Sequence, residues 1–288
     1  MLRGRGPRVR PVRVGATADA LRRLAADPAQ TALAGTRLEE LSHSAAVSRE
    51  FSQVVERGAD PAVLWHGVNV FPVGITGGDP ATQGTARAFA DLLLGEPLRA
   101  SSLVGPRAEA EALWGLLAPV WEPRVREYRW SQPVLEALAE PRVDPHPGLR
   151  PAVAGEADLV APAAIAMFRE EVGVDPTARD GGLGYRARVR WLVESGRTYV
   201  VEQAGTVVFK ADVGAVFSGV AQIHGVWTHP QLRGRGLARA AMAALVPMVR
   251  RDHAPRVCLY VNDFNEPARR AYTAAGFDQV GELSTILF

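Results

Sequence analysis

The chain has 288 residues, 47% hydrophobic and 22% charged, with a formal net charge of +2. That length and balance describe a globular protein of one large or two ordinary domains, and so slight a charge gives no support for nucleic-acid binding. The lone cysteine, Cys258, excludes an internal disulfide and fits a reducing cytoplasm; no stretch is apolar and long enough to span a bilayer, and the start does not read as a secretory signal.

In chain order, Arg3, Arg5, Arg8, Arg10 and Arg13 mark a basic tail over 1–14, read as disordered and solvated. Helices are predicted over 18–26 and 46–57, then a strand over 62–72. A helix over 85–94 follows the Gly77-Gly78-Asp79-Pro80 turn. A strand over 101–104, a helix over 108–120 and a last strand near 133–137 complete a smaller α/β domain, placed at 15–139. It has no Q-x-x-G-x-G, and Gly105-Pro106-Arg107 before a helix is a faint phosphate signal. The segment 140–149, EPRVDPHPGL, is rich in proline and charge without periodicity and is predicted to be a linker.

Beyond it the pattern predicts a strand at 151–153, helices over 156–171 and 184–194, and a hairpin of 198–202 with 206–213 around Ala204-Gly205. A strand over 221–228 leads to a helix over 237–249, and the short apolar run 257–261 reads as a buried parallel strand. The fold class is α/β throughout, a mixed sheet flanked by helices, with the second domain at 150–288.

Two segments carry chemistry. Gln231-Leu232-Arg233-Gly234-Arg235-Gly236 has the form Q-x-x-G-x-G between a strand and a helix. Backbone N–H groups of such a turn converge with the positive helix end, which makes a site for a phosphate chain. Gly234 and Gly236 let the backbone approach a pyrophosphate without a Cβ in the way, and Arg233 and Arg235 add charge. No Gly-Lys-Ser/Thr follows, so this is not a Walker loop, and the third glycine of a dinucleotide fingerprint is missing. In the second segment Asn265, Ala268, Tyr272 and Gly276 are three, four and four residues apart, one stripe of a helix. Asn265 is placed to cap it and Gly276 to stop it. A glycine pair or a core tyrosine is commonplace alone; together they favour a site.

These residues resemble the GNAT superfamily of acyl-CoA-dependent N-acyltransferases. The match runs from Val226-Trp227-Thr228 through Gly236-Leu237-Ala238, then Leu259-Tyr260-Val261-Asn262, Asn265, Ala268, Arg269, Tyr272, Gly276 and Phe277. It covers about the last 140 residues, an ordinary domain size. The whole chain also resembles an actinobacterial subgroup in which such a domain follows an uncharacterised, degenerate GNAT-like one. The resemblance implies that backbone amides from Arg233 to Ala238 (Arg233, Gly234, Arg235, Gly236, Leu237 and Ala238) hold the pyrophosphate of acetyl-CoA, the acyl donor. It implies that Val226, Trp227 and Thr228 offer main-chain partners to the pantetheine arm, which lies in a splay between two strands. Asn265 would bind that arm and Tyr272 would sit near the thioester sulfur.

Direct transfer to an amine requires loss of the ammonium proton near pKa ~10, hence a base or a water chain to one. The oxyanion is best met by a main-chain N–H near Val226 to Thr228, and Tyr272 is assigned to protonate the departing thiolate. Candidate bases are His224, which shares a face with Gln222 and Val226 if no bulge intervenes, and Glu171 or Glu170 at the end of the first helix. Asp212 and the terminal carboxylate of Phe288 are further options. For each carboxylate, a solvated or paired charge is the plainer reading. Cys258 with Asp252 and His253 could suggest an acyl-cysteine route, although buried strand cysteines are ordinary. No metal-ligand spacing is present. Lys210, the only lysine, reads as coding bias.

The expected function is cytoplasmic N-acetylation of a primary amine on a small molecule, peptide or protein, with no nucleic acid, no membrane and no metal; a homodimer is left open. The N-terminal domain would be non-catalytic and shape the acceptor site. Two alternatives stand beside this: an acyl-CoA sensor or pseudoenzyme without turnover, and nucleic-acid binding through the arginine tail, which would show steep salt dependence.

Overall fold

The computed structural model describes residues 7–55, 60–77, 80–178 and 180–288. The chain forms two compact units, one comprising Met1–Val134 with Val280–Phe288 and the other Leu135–Gln279. The boundary therefore precedes the proline-rich segment expected to be a linker. That segment is tied to the second unit, where Arg142 N donates to Ala274 O (2.8 Å) and His146 N to Ala240 O (2.9 Å). Two strands, β6 (Glu127–Ala137) and β12 (Phe277–Leu287), each have residues in both units.

The first unit contains β1 (Arg10–Pro11), α1 (Ala18–Ala25), α2 (Pro28–Leu41), α3 (Val47–Glu50) and β2 (Phe51–Val54). It continues with β3 (Ala62–His66), β4 (Asn69–Val73), α4 (Pro80–Leu94), β5 (Ser102–Pro106) and α5 (Arg107–Trp121). Neighbouring strands β1 to β4 are antiparallel, β4 and β5 are parallel, and β12 returns antiparallel along β5 from Leu283↔Pro106 to Leu287↔Ser102. Part of the predicted basic tail is thus a strand, with Arg10 opposite Gln53; Arg3 and Arg5, like Gly78-Asp79 of the predicted turn, lie outside the described residues.

Three local expectations change. The helix α2 was not legible, because its Thr, Gly and Gln positions blur the periodicity; Pro28 at its first turn and Asp27, whose side chain accepts from Gln30 N (3.4 Å), start it. The helix expected over 46–57 ends at Glu50, and Phe51–Val54 pairs with β3 instead. The single strand expected over 62–72 is a hairpin turning at Gly67-Val68. A Cβ at Gly67 would meet the Glu50 carboxylate and the Trp65 indole.

The second unit repeats this order: β7 (Arg150–Pro151), α6 (Ala157–Val172), α7 (Leu183–Glu194), β8 (Thr198–Gln203), β9 (Thr206–Phe217), β10 (Val220–Thr228), α8 (Leu237–Asp252), β11 (Arg256–Tyr260) and α9 (Glu266–Ala274). Again the first four strands are antiparallel and the next pair, β10 and β11, parallel. One core joins Val213, Ile223 and Leu259 of the sheet to Leu245 and Tyr272; the other joins Val200, Val207 and Trp227 to Val160, Ala164 and Val189.

The repeat makes the turn after β4 the counterpart of the glycine turn after β10. In the first unit that turn closes on a protein carboxylate. Glu109, nearly buried, accepts from Gly74 N (3.0 Å), Ile75 N (2.8 Å) and Thr76 Oγ1 (2.9 Å), with Gly74 at φ +86°. Glu109→Ala should lower stability in urea unfolding by about 2–3 kcal/mol, since it leaves buried amides without their charged acceptor.

Candidate active site

The site of the second unit starts from a bulge in β10. Between the pairs His224↔Asp212 and Trp227↔Lys210, β10 has Gly225 and Val226 against the single Ala211 of β9. One extra residue moves the side chains after it to the opposite face. Trp227 consequently falls in the core under α6 and α7, while Val226 packs with Ile223 toward α8 and α9. The expectation that His224 and Val226 share a face fails for this reason.

Gly225 has φ +57°, and a Cβ there would lie 3.0 Å from both Lys210 Nζ and Met167 Cε. Lys210, 1% exposed, donates to Gly225 O (2.9 Å) and Asp212 Oδ2 (2.6 Å), and Thr198 Oγ1 donates to Asp212 Oδ1 (2.9 Å). The sole lysine is therefore a structural ion of this unit, a role that composition concealed. Asp212, considered as a base, is held by these two donors.

The parallel ladder of β10 with β11 stops at Ile223↔Leu259. Among the described residues, the edge of β10 toward β11 has no ladder partner from His224 to Thr228, and the bulge bends the strand in this stretch. On its other edge Trp227 and Thr228 pair with Lys210 and Phe209, and Thr228 O accepts from Arg233 Nε (3.0 Å).

Past Thr228 the chain makes one turn over Pro230–Leu232 and reaches Gly234 (φ +74°) and Gly236 (φ +85°), both in the left-handed region that favours glycine. Gly236 heads α8 with no side chain capping it, so the first N–H groups of the helix, from Leu237 and Ala238 onward, face an exposed turn. Arg235 is exposed. The Arg233 side chain is engaged, because Glu170 Oε2 accepts from its Nη2 (2.6 Å) while Glu170 Oε1 accepts from Trp227 Nε1 (3.2 Å).

Across the opening, Asn265 caps α9, its side chain accepting from Ala268 N (3.3 Å). Tyr272 is 7% exposed and packs against Phe277. Burial, and then the Glu171 carboxylate, push its phenol upward, and no hydrogen bond to its hydroxyl contributes. Glu171 Oε1 also lies 3.5 Å from Asn262 Nδ2. The structure thus gathers Tyr272, Glu171 and Asn262. Asn262 was visible in the matched run Leu259 to Asn262 but had no assigned role.

His224 sits apart from that group in its contacts. Its Nε2 is 2.8 Å from Gln222 Oε1, its ring meets Tyr260 edge-on, and it covers Gly214, where any Cβ would collide with the imidazole. Burial, with the Arg188 charge adding to it and Asp212 opposing, lowers its pKa to about 4. The ordinary value near 6.5 that recommended it as a base does not hold here. Cys258 is buried, and Asp252 and His253 meet Tyr199 (3.3 and 3.1 Å) rather than the thiol. Phe288 belongs to the first unit, its ring against Trp114 and Trp121. Among the described residues no cluster of His, Cys, Asp and Glu could hold a metal ion, and no helix is long and apolar enough to cross a membrane.

Three variants test this arrangement. Lys210→Met, which strands the buried Asp212 carboxylate, should cost about 3–5 kcal/mol in urea unfolding, and Lys210→Met/Asp212→Leu clearly less. For His224 the folded pKa lies below the unfolded one, so the unfolded chain binds more protons between pH 6.5 and 4. Its contribution is complete above pH 6.5 and is lost as pH falls toward 4; His224→Gln should flatten the urea midpoint across that window.

Comparison with known proteins agrees with the geometry. Residues 185–277 match the Acetyltransferase (GNAT) family, and residues 50–160 match a domain of unknown function (DUF4081). No curated protein matches the chain. Among solved structures, a GNAT-family acetyltransferase from Colwellia psychrerythraea is 8% identical with a TM-score of 0.60, covering 98% of this chain and 99% of its own. A GCN5-related N-acetyltransferase from Sphaerobacter thermophilus is 20% identical with a TM-score of 0.57 (97% and 94% covered). Another from Kribbella flavida is 17% identical at 0.52 (88% and 93%). These likenesses establish the fold. The GNAT family match spans the bulged strand, the glycine turn and the Tyr272 helix, and along the chain it follows the match to the domain of unknown function.

Proposed function

We propose that the second unit transfers the acetyl group of acetyl-CoA to a primary amine by direct attack with both substrates bound. The observation that carries this reading is the unpaired edge of β10 from His224 to Thr228, which ends at an uncapped, solvent-facing helix N-terminus. An extended pantetheine arm can lie along such an edge as an added strand, meeting main-chain groups of Val226 to Thr228. The amides from Arg233 to Ala238 take the diphosphate. Asn265 Oδ1 is spent on its cap, so its Nδ2 is the group left to donate to the arm.

Tyr272 then lies beside the sulfur. Its phenol, raised by burial, keeps its proton through the neutral range. A thiolate is a weaker base than a phenolate raised in this way, so it does not take that proton outright. Tyr272 therefore acts by hydrogen bonding to the sulfur, and the proton that ends on the thiol comes from the attacking nitrogen. This modifies the role expected from the sequence. Glu171, exposed and next to both Asn262 and Tyr272, is placed to hold the acceptor ammonium and accept its proton directly or through water. His224, lowered to about 4, is assigned to packing. A main-chain N–H at the bulge would meet the oxyanion.

The first unit is proposed not to share in the chemistry, because its corresponding turn already holds the Glu109 carboxylate. The single buried cysteine fits action in the cytoplasm. A binding-only reading draws on the depth of Tyr272 and the weak basicity of His224; it predicts coenzyme binding without thiol release. Calorimetry with acetyl-CoA, followed by a thiol-release screen of amines and peptides, decides between them. On a productive amine, Tyr272→Phe should lower kcat by about 10- to 100-fold with acetyl-CoA affinity unchanged, while Gly236→Val, forced out of its left-handed turn, should abolish binding. Full turnover by Tyr272→Phe would remove that residue from the mechanism.

A further inference from the structure

The outer face of α9 carries a feature that the proposed reaction leaves unused. A cleft of about 510 Å³ is lined by Arg142, Glu266, Arg269, Arg270, Thr273 and Ala274. Its single carboxylate, Glu266, is paired with Arg270 (2.9 Å). Arg142 and Arg269 are exposed and have no carboxylate partner among the described residues; the Arg269 side chain donates to the Asp263 carbonyl, at 3.3 Å. Three guanidinium groups around one concavity, two of them without a counter-ion, suit a phosphate dianion, whose oxygens accept the paired N–H donors of arginine.

The position of the cleft says which phosphate. Arg269 stands one helical turn after Asn265 and three residues before Tyr272, so it borders the stripe that faces the coenzyme opening. On the far side of the cleft, Arg142 N donates to Ala274 O, and four residues later His146 N donates to Ala240 O in the first turn of α8. Four residues span at most about 14 Å. A short stretch of chain thus ties the Arg142 side of the cleft to the first turn of α8, the helix that starts at the turn proposed to take the diphosphate.

We propose that Arg142, Arg269 and Arg270 form a phosphomonoester site that receives the 3′-phosphate of the coenzyme. This rests on the coenzyme reading above, and the shared chemistry, a phosphate monoester, could instead arrive on a separate small molecule.

Calorimetry on the full chain with CoA, 3′-dephospho-CoA, 3′-AMP and inorganic phosphate separates these cases. The wild-type protein should bind CoA about tenfold or more tighter than 3′-dephospho-CoA. In Arg142→Ala/Arg269→Ala that ratio should fall to near one while the affinity for 3′-dephospho-CoA holds; Arg142→Lys/Arg269→Lys should keep an intermediate ratio. A wild-type ratio near one, or a ratio untouched by the double variant, overturns the site. If neither coenzyme form binds, the reading of the second unit fails on its own account. In that case, binding of 3′-AMP or phosphate that the double variant loses still supports a phosphate site, and no binding of either overturns it.

Discussion

A buried ammonium holds the second unit to its shape. Lys210 is 1% exposed, with Asp212 as its counter-ion and a backbone carbonyl as its second acceptor. That carbonyl belongs to Gly225, the residue at which β10 takes in one extra position. A bulge normally leaves a backbone acceptor without a ladder donor; here the lysine supplies the missing hydrogen. The side-chain order beyond the bulge, the end of the β11 ladder and the approach to the glycine turn all follow from this one satisfied kink. Cores on both faces of the sheet then lock the arrangement, with Val226 on one side and Trp227 on the other.

Electrostatics divides the candidate residues by environment rather than by type. Glu170 and Glu171 are neighbours in sequence, yet Glu170 is clamped between an indole and a guanidinium while Glu171 reaches toward Asn262 and Tyr272. His224 has the right chemistry for a base and the wrong surroundings, since burial and the Arg188 cation both disfavour its protonated form.

Much of the second unit was readable in the chain because its elements are strongly periodic and sharply punctuated. Helix α9 is bracketed by Asn265 and Gly276, and the hairpin of β8 and β9 turns at Ala204-Gly205, as their residues suggest. What escaped notice depends on partners distant in sequence. Nothing local marks Gly225 as a bulge: the requirement comes from Lys210 and Met167, which fold against it from elsewhere. A lone lysine in an arginine-rich chain looks like composition until its burial is known. In the first unit, Gly67 split an apolar run that lacked the Asn-Gly or Asp-Gly signal of a tight hairpin, and the short strand Phe51–Val54 was absorbed into a helical pattern. The return of β12 to the first unit was invisible for the same reason, since pairing of residue 285 with residue 104 leaves no local trace.

That return bears on how the protein is made. The first unit's core includes Ile286 and packs against Phe288, residues synthesised after the whole of the second unit. At ordinary translation speeds the amino-terminal sheet waits on the order of ten seconds for its last strand, with β5 exposing unpaired backbone in the interval. The sheet of the first unit is therefore completed only by a strand made after the second unit.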